Sequence, residues 1–255
     1  MHRRHVLRCL ALTGLALLAA CSDDGDSSPT TAPLTLEQAT DIATALSDNL
    51  ADGGAVFQMS TPSDLPGGGT IQLSGVVDWE HHMGHALVVG AGSEANVVEV
   101  YWNEQAMLER RSDMGVLVAV AGPGVDYVLR PPDLNRRLDQ LIGIIAGLAG
   151  TQPDNPLLVQ QEAGSAYLRD DELRGVKVQV LRFGERSVFW LDADGNMLRF
   201  EGVNEAGNAP VIFDVLERGP QTITAPPEQS VVDVAQVADV WAAIVGAASQ
   251  PATSG

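Results

Sequence analysis

The chain has 255 residues, with 15 Lys+Arg against 33 Asp+Glu, a formal net charge of −18, and two cysteines. So acidic a surface repels phosphate backbones, which excludes nucleic-acid binding, and it repels anionic head groups, which excludes attachment through a basic patch.

In chain order, the first element is a leader. Arg3, Arg4 and Arg8 form a positive head, Leu10 to Leu18 form a short apolar run, and Leu18-Ala19-Ala20 precede Cys21. That layout predicts a secretory signal peptide over 1–20, too short to span a bilayer that takes ~20 apolar residues. The small residues before Cys21 look like a bacterial lipobox, which predicts cleavage before Cys21 and acylation of its thiol; the plainer reading is an ordinary signal peptide with an incidental cysteine. Arg3-Arg4-His5-Val6-Leu7 is also similar to a twin-arginine export signal. Removing the leader leaves 12 basic against 33 acidic side chains, a net −21, and one cysteine, so the fold must stand on its hydrophobic core.

Residues 21–33, acidic, small and proline-bearing, predict a disordered tether, and 249–255 a disordered tail. Between them, 34–248 reads as a single domain. Thr35 with Gln38 predicts a capping box, followed by Leu36, Ala39, Ile42, Ala43, Leu46 and Leu50 at helical spacing and stopped by Gly53-Gly54. The pattern then shifts to period two. Ile71, Leu73, Val77 and Trp79 share one face, and Val98, Val100 and Trp102 alternate with Glu99 and Tyr101. Pro131 opens a predicted helix to about Gly150, apolar on almost every side of its last two turns, which predicts burial or a cover over something apolar. Gly143, Gly147 and Gly150 on it suit either close helix–sheet packing or a mobile cover. Strands return with Val176, Val178 and Val180, then Phe189 and Leu191, Leu198 and Phe200, Ala209 to Arg218, and Gln221 to Thr224; a helix is expected over Val234 to Ala248.

Successive hairpins without intervening helices predict an antiparallel sheet, and about ten strands accumulate too much twist to lie flat. The expected fold is therefore α+β: a strongly curved antiparallel β-sheet, a half-barrel, with helices on its concave side enclosing an apolar cavity. Val77, Val98, Val100, Leu141, Ile142, Ile145, Leu148, Val178, Phe189 and Phe200 are the candidate cavity residues.

Chemistry-bearing motifs are sparse. His81, His82 and His85 with Glu80 suit a zinc or copper site only if the chain turns at Gly84 and brings them together. Asp192-Ala193-Asp194-Gly195-Asn196 has its glycine too early for a calcium loop and reads as a hairpin turn. Gly164-Ser165-Ala166 lacks the glycines of a nucleophile elbow, and Gly67 to Gly69 lacks the lysine of a phosphate loop. No catalytic constellation, cofactor or metal is expected.

Several features in order resemble the LppX/LprG group of actinobacterial lipoproteins: the lipobox at Cys21, the acidic tether, the opening helix and the antiparallel strands. The end of the chain resembles it most, in Arg186-Ser187-Val188-Phe189-Trp190-Leu191-Asp192, in Arg218-Gly219-Pro220, and in Ile223-Thr224-Ala225-Pro226. The resemblance spans roughly 35–234 and implies a half-barrel, akin to LolA/LolB-type carriers, that moves lipids or acylated glycolipids between membrane layers. The histidine cluster and the Val234 to Ala248 extension depart from the group. The partners expected are a lipid or glycolipid ligand, the cell membrane through acylated Cys21 on its extracytoplasmic face, and a membrane transporter the sequence does not identify. The rival readings are an envelope binding or sensor module with a filled core, a secreted hydrolase, and a metal-binding protein.

Overall fold

The computed structural model describes residues 31–63, 69–90, 92–203 and 210–248. The expected leader, Cys21, most of the tether and the 249–255 tail lie outside the described residues.

Helix α1 (Leu36–Asp52) begins as its sequence dictates. The Gln38 amide donates to the Thr35 hydroxyl at 3.2 Å and the Thr35 amide to the Gln38 side chain at 3.0 Å. Gly53, at φ 83°, ends the helix in the left-handed conformation that glycine adopts without steric cost. Five strands follow: β1 (Gly54–Pro62), β2 (Thr70–Asp78), β3 (Met83–Val89), β4 (Val97–Trp102) and β5 (Met107–Arg111). A short helix α2 (Gly115–Ala121) leads into β6 (Tyr127–Arg130), and helices α3 (Arg137–Gly147) and α4 (Pro156–Gln161) come next. The second half holds β7 (Ala166–Leu173), β8 (Val176–Phe183), β9 (Ser187–Leu191), β10 (Met197–Val203), β11 (Pro210–Arg218), β12 (Val231–Asp233) and α5 (Ala238–Ala248).

All twelve described strands join one sheet in the order β12-β6-β5-β4-β3-β2-β1-β11-β10-β9-β8-β7. Neighbours pair antiparallel except β12 with β6, which are parallel. Laid flat, twelve strands would span ~53 Å, and the strand-to-strand twist curls such a sheet instead. The result is the expected strongly curved half-barrel, with two strands more than the sequence suggested. Helices α1 and α3 pack their apolar stripes onto the concave face, where Phe57, Met59, Leu73, Trp79, Leu138, Leu141, Ile145 and Phe213 are fully buried.

Three expectations need correction. Gln221 to Thr224 is not a strand; 219–227 runs without regular structure from β11 to the turn before β12, and Pro220, Pro226 and Pro227 have no amide to give a ladder. Helix α3 starts at Arg137 rather than Pro131: 131–133 have no regular structure, and 134–136 form a turn closed by the Arg136 amide on the Asp133 carbonyl at 2.9 Å. The third concerns the glycines of α3, for which close helix–sheet packing is one of the two expected roles. Gly143, Ala146 and Gly147 face outward, and a Cβ on either glycine would meet nothing within 4 Å, so neither glycine serves close helix–sheet packing.

Candidate functional site

Helix α3 is held over the concave sheet by polar ties at both ends. At its start, Arg130 donates both terminal nitrogens to Asp139, at 2.6 and 2.7 Å, and its Nε to Glu109 at 2.9 Å. The Asp133 amide adds a 2.6 Å bond to Asp139. Arg136 reaches Glu109 at 2.7 and 3.1 Å, and Arg137 donates to the Thr61 hydroxyl at 2.8 Å. At its end, the Trp79 indole donates to the Ile145 carbonyl at 3.1 Å, and the Asn49 amide to that of Leu148 at 2.7 Å. Between these ties the face that meets the sheet is apolar: Leu138, Leu141, Ile142, Ile145 and Leu148.

Burial alone would raise the Glu109 carboxyl, but the hydrogen bonds and charges of Arg136 and Arg130 outweigh it and hold it below the ordinary carboxylate range. Glu94, buried nearby, moves the other way: burial raises it, and one of its oxygens has no protein partner. This ionic cluster escaped sequence reasoning. The available signal was period two in β5, which places Glu109 and Arg111 on the same face as Met107, a core residue.

Beside α3 lies a groove of about 210 Å³, lined by Trp102, Met107, Leu134, Ile142, Gly143 and Ala146, with His82, Asn103, Glu104 and Asp139 contributing polar groups. Of the candidate cavity residues, Val77, Val100, Leu141, Ile142, Ile145, Leu148 and Phe189 are buried together on the concave side, and Phe200 packs against them. Val178 and Val98 are not in that group. The β8–β9 register sets Gln179 and Leu181 opposite Leu191 and Phe189, so Val178 and Val180 point to the other face. There they pack with Trp190, whose ring lies between the guanidinium groups of Arg169 and Arg199, each 5.2 Å from its centre. Gln179, the polar residue of that pair, is spent on a 2.9 Å bond from Gln38 of α1. Val98 sits half-buried at the bulge between Val97 and Glu99.

The histidines do not converge. His81 lies 2.9 Å from Asp78, His85 lies 2.8 Å from Glu99, and His82 lies 3.9 Å from Glu104. Among the described residues, no three metal-ligating side chains are gathered. Glu99 instead centres a second cluster that the sequence did not reveal, because its members come from four strands. It takes bonds from Arg110 and Tyr127 at 2.8 Å and Tyr101 at 3.2 Å, besides His85. Burial pushes its carboxyl up, yet hydrogen bonds from Tyr127, His85 and Arg110 bring it below its ordinary value. Asp192 accepts the amides of Asp194 and Asn196, both at 2.9 Å, in the hairpin turn between β9 and β10. Ser165 accepts the Gly184 amide at 3.1 Å. No described helix is long and apolar enough to cross a membrane.

No protein-family model and no curated protein matches the chain. Among solved structures, it is similar to an uncharacterized conserved protein from Thermus thermophilus, at 14% identity and a TM-score of 0.38, covering 76% of this chain and 98% of that one. A LolA superfamily protein from Nitrosomonas europaea matches at 8% identity and 0.31, covering 75% and 96%. MucB, in its complex with MucA from Pseudomonas aeruginosa, matches at 16% identity and 0.33; the match covers 74% of this chain and 59% of that one.

Proposed function

We propose that this protein is an extracytoplasmic, non-enzymatic lipid binder of the LppX/LprG kind, tethered to the cell membrane through acylated Cys21, which shelters acyl chains between α3 and the concave sheet and carries them between membrane layers. The observation that supports it is the construction of α3. Its ends are fixed by directional polar bonds, its inner face between them is apolar, and a groove lined by Trp102, Met107 and Ile142 opens alongside. Each methylene taken from water contributes ~0.8 kcal/mol, so such a site needs no specific polar contact to hold a chain.

A second reading, a binding module with a filled core that transports nothing, draws on the close filling of the concave side by Phe57, Met59, Leu138 and Phe213. Uptake of a fluorescent fatty-acyl probe, together with native mass spectrometry of protein purified from membranes, separates the two. Carriage expects co-purifying lipid and saturable uptake, both reduced in Ala146→Trp, which plugs the groove from an exposed position. Absence of bound lipid and of uptake would overturn carriage.

A further inference from the structure

A second, larger groove lies at the far end of the sheet, where α2 and α5 pack together over β6 and β12. It encloses about 640 Å³, and its lining includes Val116, Val240, Ala243 and Ile244 with the carboxylates of Asp113 and Asp239. Val116 is 59% exposed, and Val120, one turn further along α2, is 58% exposed, so the apolar surface continues beyond the groove. This end has its own core, built around Leu117, Val128, Val232 and Trp241. It is therefore a folded platform rather than a frayed edge.

Its charge is one-sided. Segments 112–129 and 219–248, which build most of this end, contain Asp113, Asp126, Glu228, Asp233 and Asp239 but no lysine, arginine or histidine. Two arginines border this end, and both are paired: buried Arg111 lies 5.7 Å from the Trp241 ring and bonds Glu109 and Asp113, and Arg110, 6.0 Å from the Tyr127 ring, bonds Glu99 at 2.7 Å.

We propose that the α2–α5 groove docks a basic, amphipathic helical segment of a partner protein. Apolar side chains at i, i+3, i+4 and i+7 would fill the floor, and lysines or arginines on the flanks would meet Asp239 and, beside its existing bond from Arg111, Asp113. Charge rules against the other occupants. Anionic head groups and a second copy of this chain both bring negative charge to a negative rim. The chain's own 249–255 segment, SQPATSG, offers neither a cation nor a large apolar side chain.

The test is fluorescence anisotropy on the folded protein with helical peptides of about 14 residues, four turns. One peptide is built from Leu and Lys, and another has the same apolar pattern with Glu in place of Lys. The variants are Ala243→Arg and Val116→Lys, at exposed groove positions, and Leu157→Arg, on exposed α4, as the control. The expected result is Leu/Lys binding at least about tenfold tighter than Leu/Glu binding. Ala243→Arg should weaken Leu/Lys binding by about tenfold or more, Val116→Lys should weaken it too, and Leu157→Arg should leave it unchanged. Equal binding of both peptides, or Leu/Lys binding that ignores Ala243→Arg, overturns the proposal. So does groove-dependent binding to phosphatidylcholine/phosphatidylglycerol vesicles in place of peptide.

Discussion

Asp139→Asn tests whether the start of α3 is pinned by the buried ion pair. Both side chains are almost wholly inaccessible, 1% for Asp139 and 4% for Arg130. The substitution removes the charge that meets both terminal nitrogens of Arg130, while the amide keeps roughly the carboxylate's shape. Removing one partner of a buried pair costs about 3–5 kcal/mol, because the remaining charge stays desolvated. Arg130 retains Glu109 at 2.9 Å and the Pro131 carbonyl at 3.1 Å, so the lower end, about 3 kcal/mol, applies here. For a domain of this size that lowers Tm by about 6–12 °C. Urea denaturation gives the free energy, and amide hydrogen exchange locates it: α3 amides should lose protection beyond the global change. A loss under about 1 kcal/mol, or exchange in α3 no faster than elsewhere, would refute the pinned-cover argument.

Three glutamates give opposing pH dependences, Glu99 and Glu109 held low and Glu94 held high. Glu99 and Glu109 sit below their ordinary values, so their stabilisation is complete above the ordinary carboxylate pKa and disappears as pH falls through their folded values; urea midpoints should drop below about pH 4, less steeply in Glu109→Gln measured against its own neutral value. Glu94 is raised, so its contribution is present in acid and lost as pH climbs through its folded value; Glu94→Gln should remove that loss, and an unchanged midpoint-versus-pH curve would contradict it. Gly84→Ala places a Cβ 1.9 Å from the Trp102 ring and should cost about 1–3 kcal/mol, with a changed near-ultraviolet signal. Gly143→Ala meets open space on a helix and should stabilise by about 1 kcal/mol in the same urea assay.

Local rules carried far in this sequence, and long-range register did not. The Thr35/Gln38 box and the Gly53 stop are contained in a few neighbouring residues, and α1 formed between them. Val176, Val178 and Val180 alternate as cleanly as any strand here, but alternation cannot say which face is inward. The register against β9 decides that, and it turns Val178 away from the helices. The same limit hid the α3 ties. Arg130, Glu109 and Asp139 are charged residues on three elements, and only the folded sheet brings them to 2.6–2.9 Å. The apolar run from Leu141 to Leu148 was legible as a covering helix, whereas its exposed side, made of glycine and alanine, resembled more core.

The filled concave side bears on what kind of ligand the proposed site takes. Exposing Leu138, Leu141, Ile142, Ile145 and Leu148 costs ~8–15 kcal/mol at ~1.5–3 kcal/mol per side chain, before the buried Arg130–Asp139 pair is counted. A single acyl chain of about sixteen methylenes contributes ~13 kcal/mol, which offsets that opening with little left for affinity. One chain therefore binds weakly unless the α3 stripe is buried again against it. Under the proposed function, two or three chains on one head group would exceed the opening cost, and the closed, filled state would be the resting form. Affinity should then rise steeply with the number of chains, which titration with palmitate, a diacyl lipid and a triacyl lipid measures directly. Palmitate binding as tightly as the diacyl lipid would mean that α3 does not open, and that whatever binds stays in the groove beside Trp102.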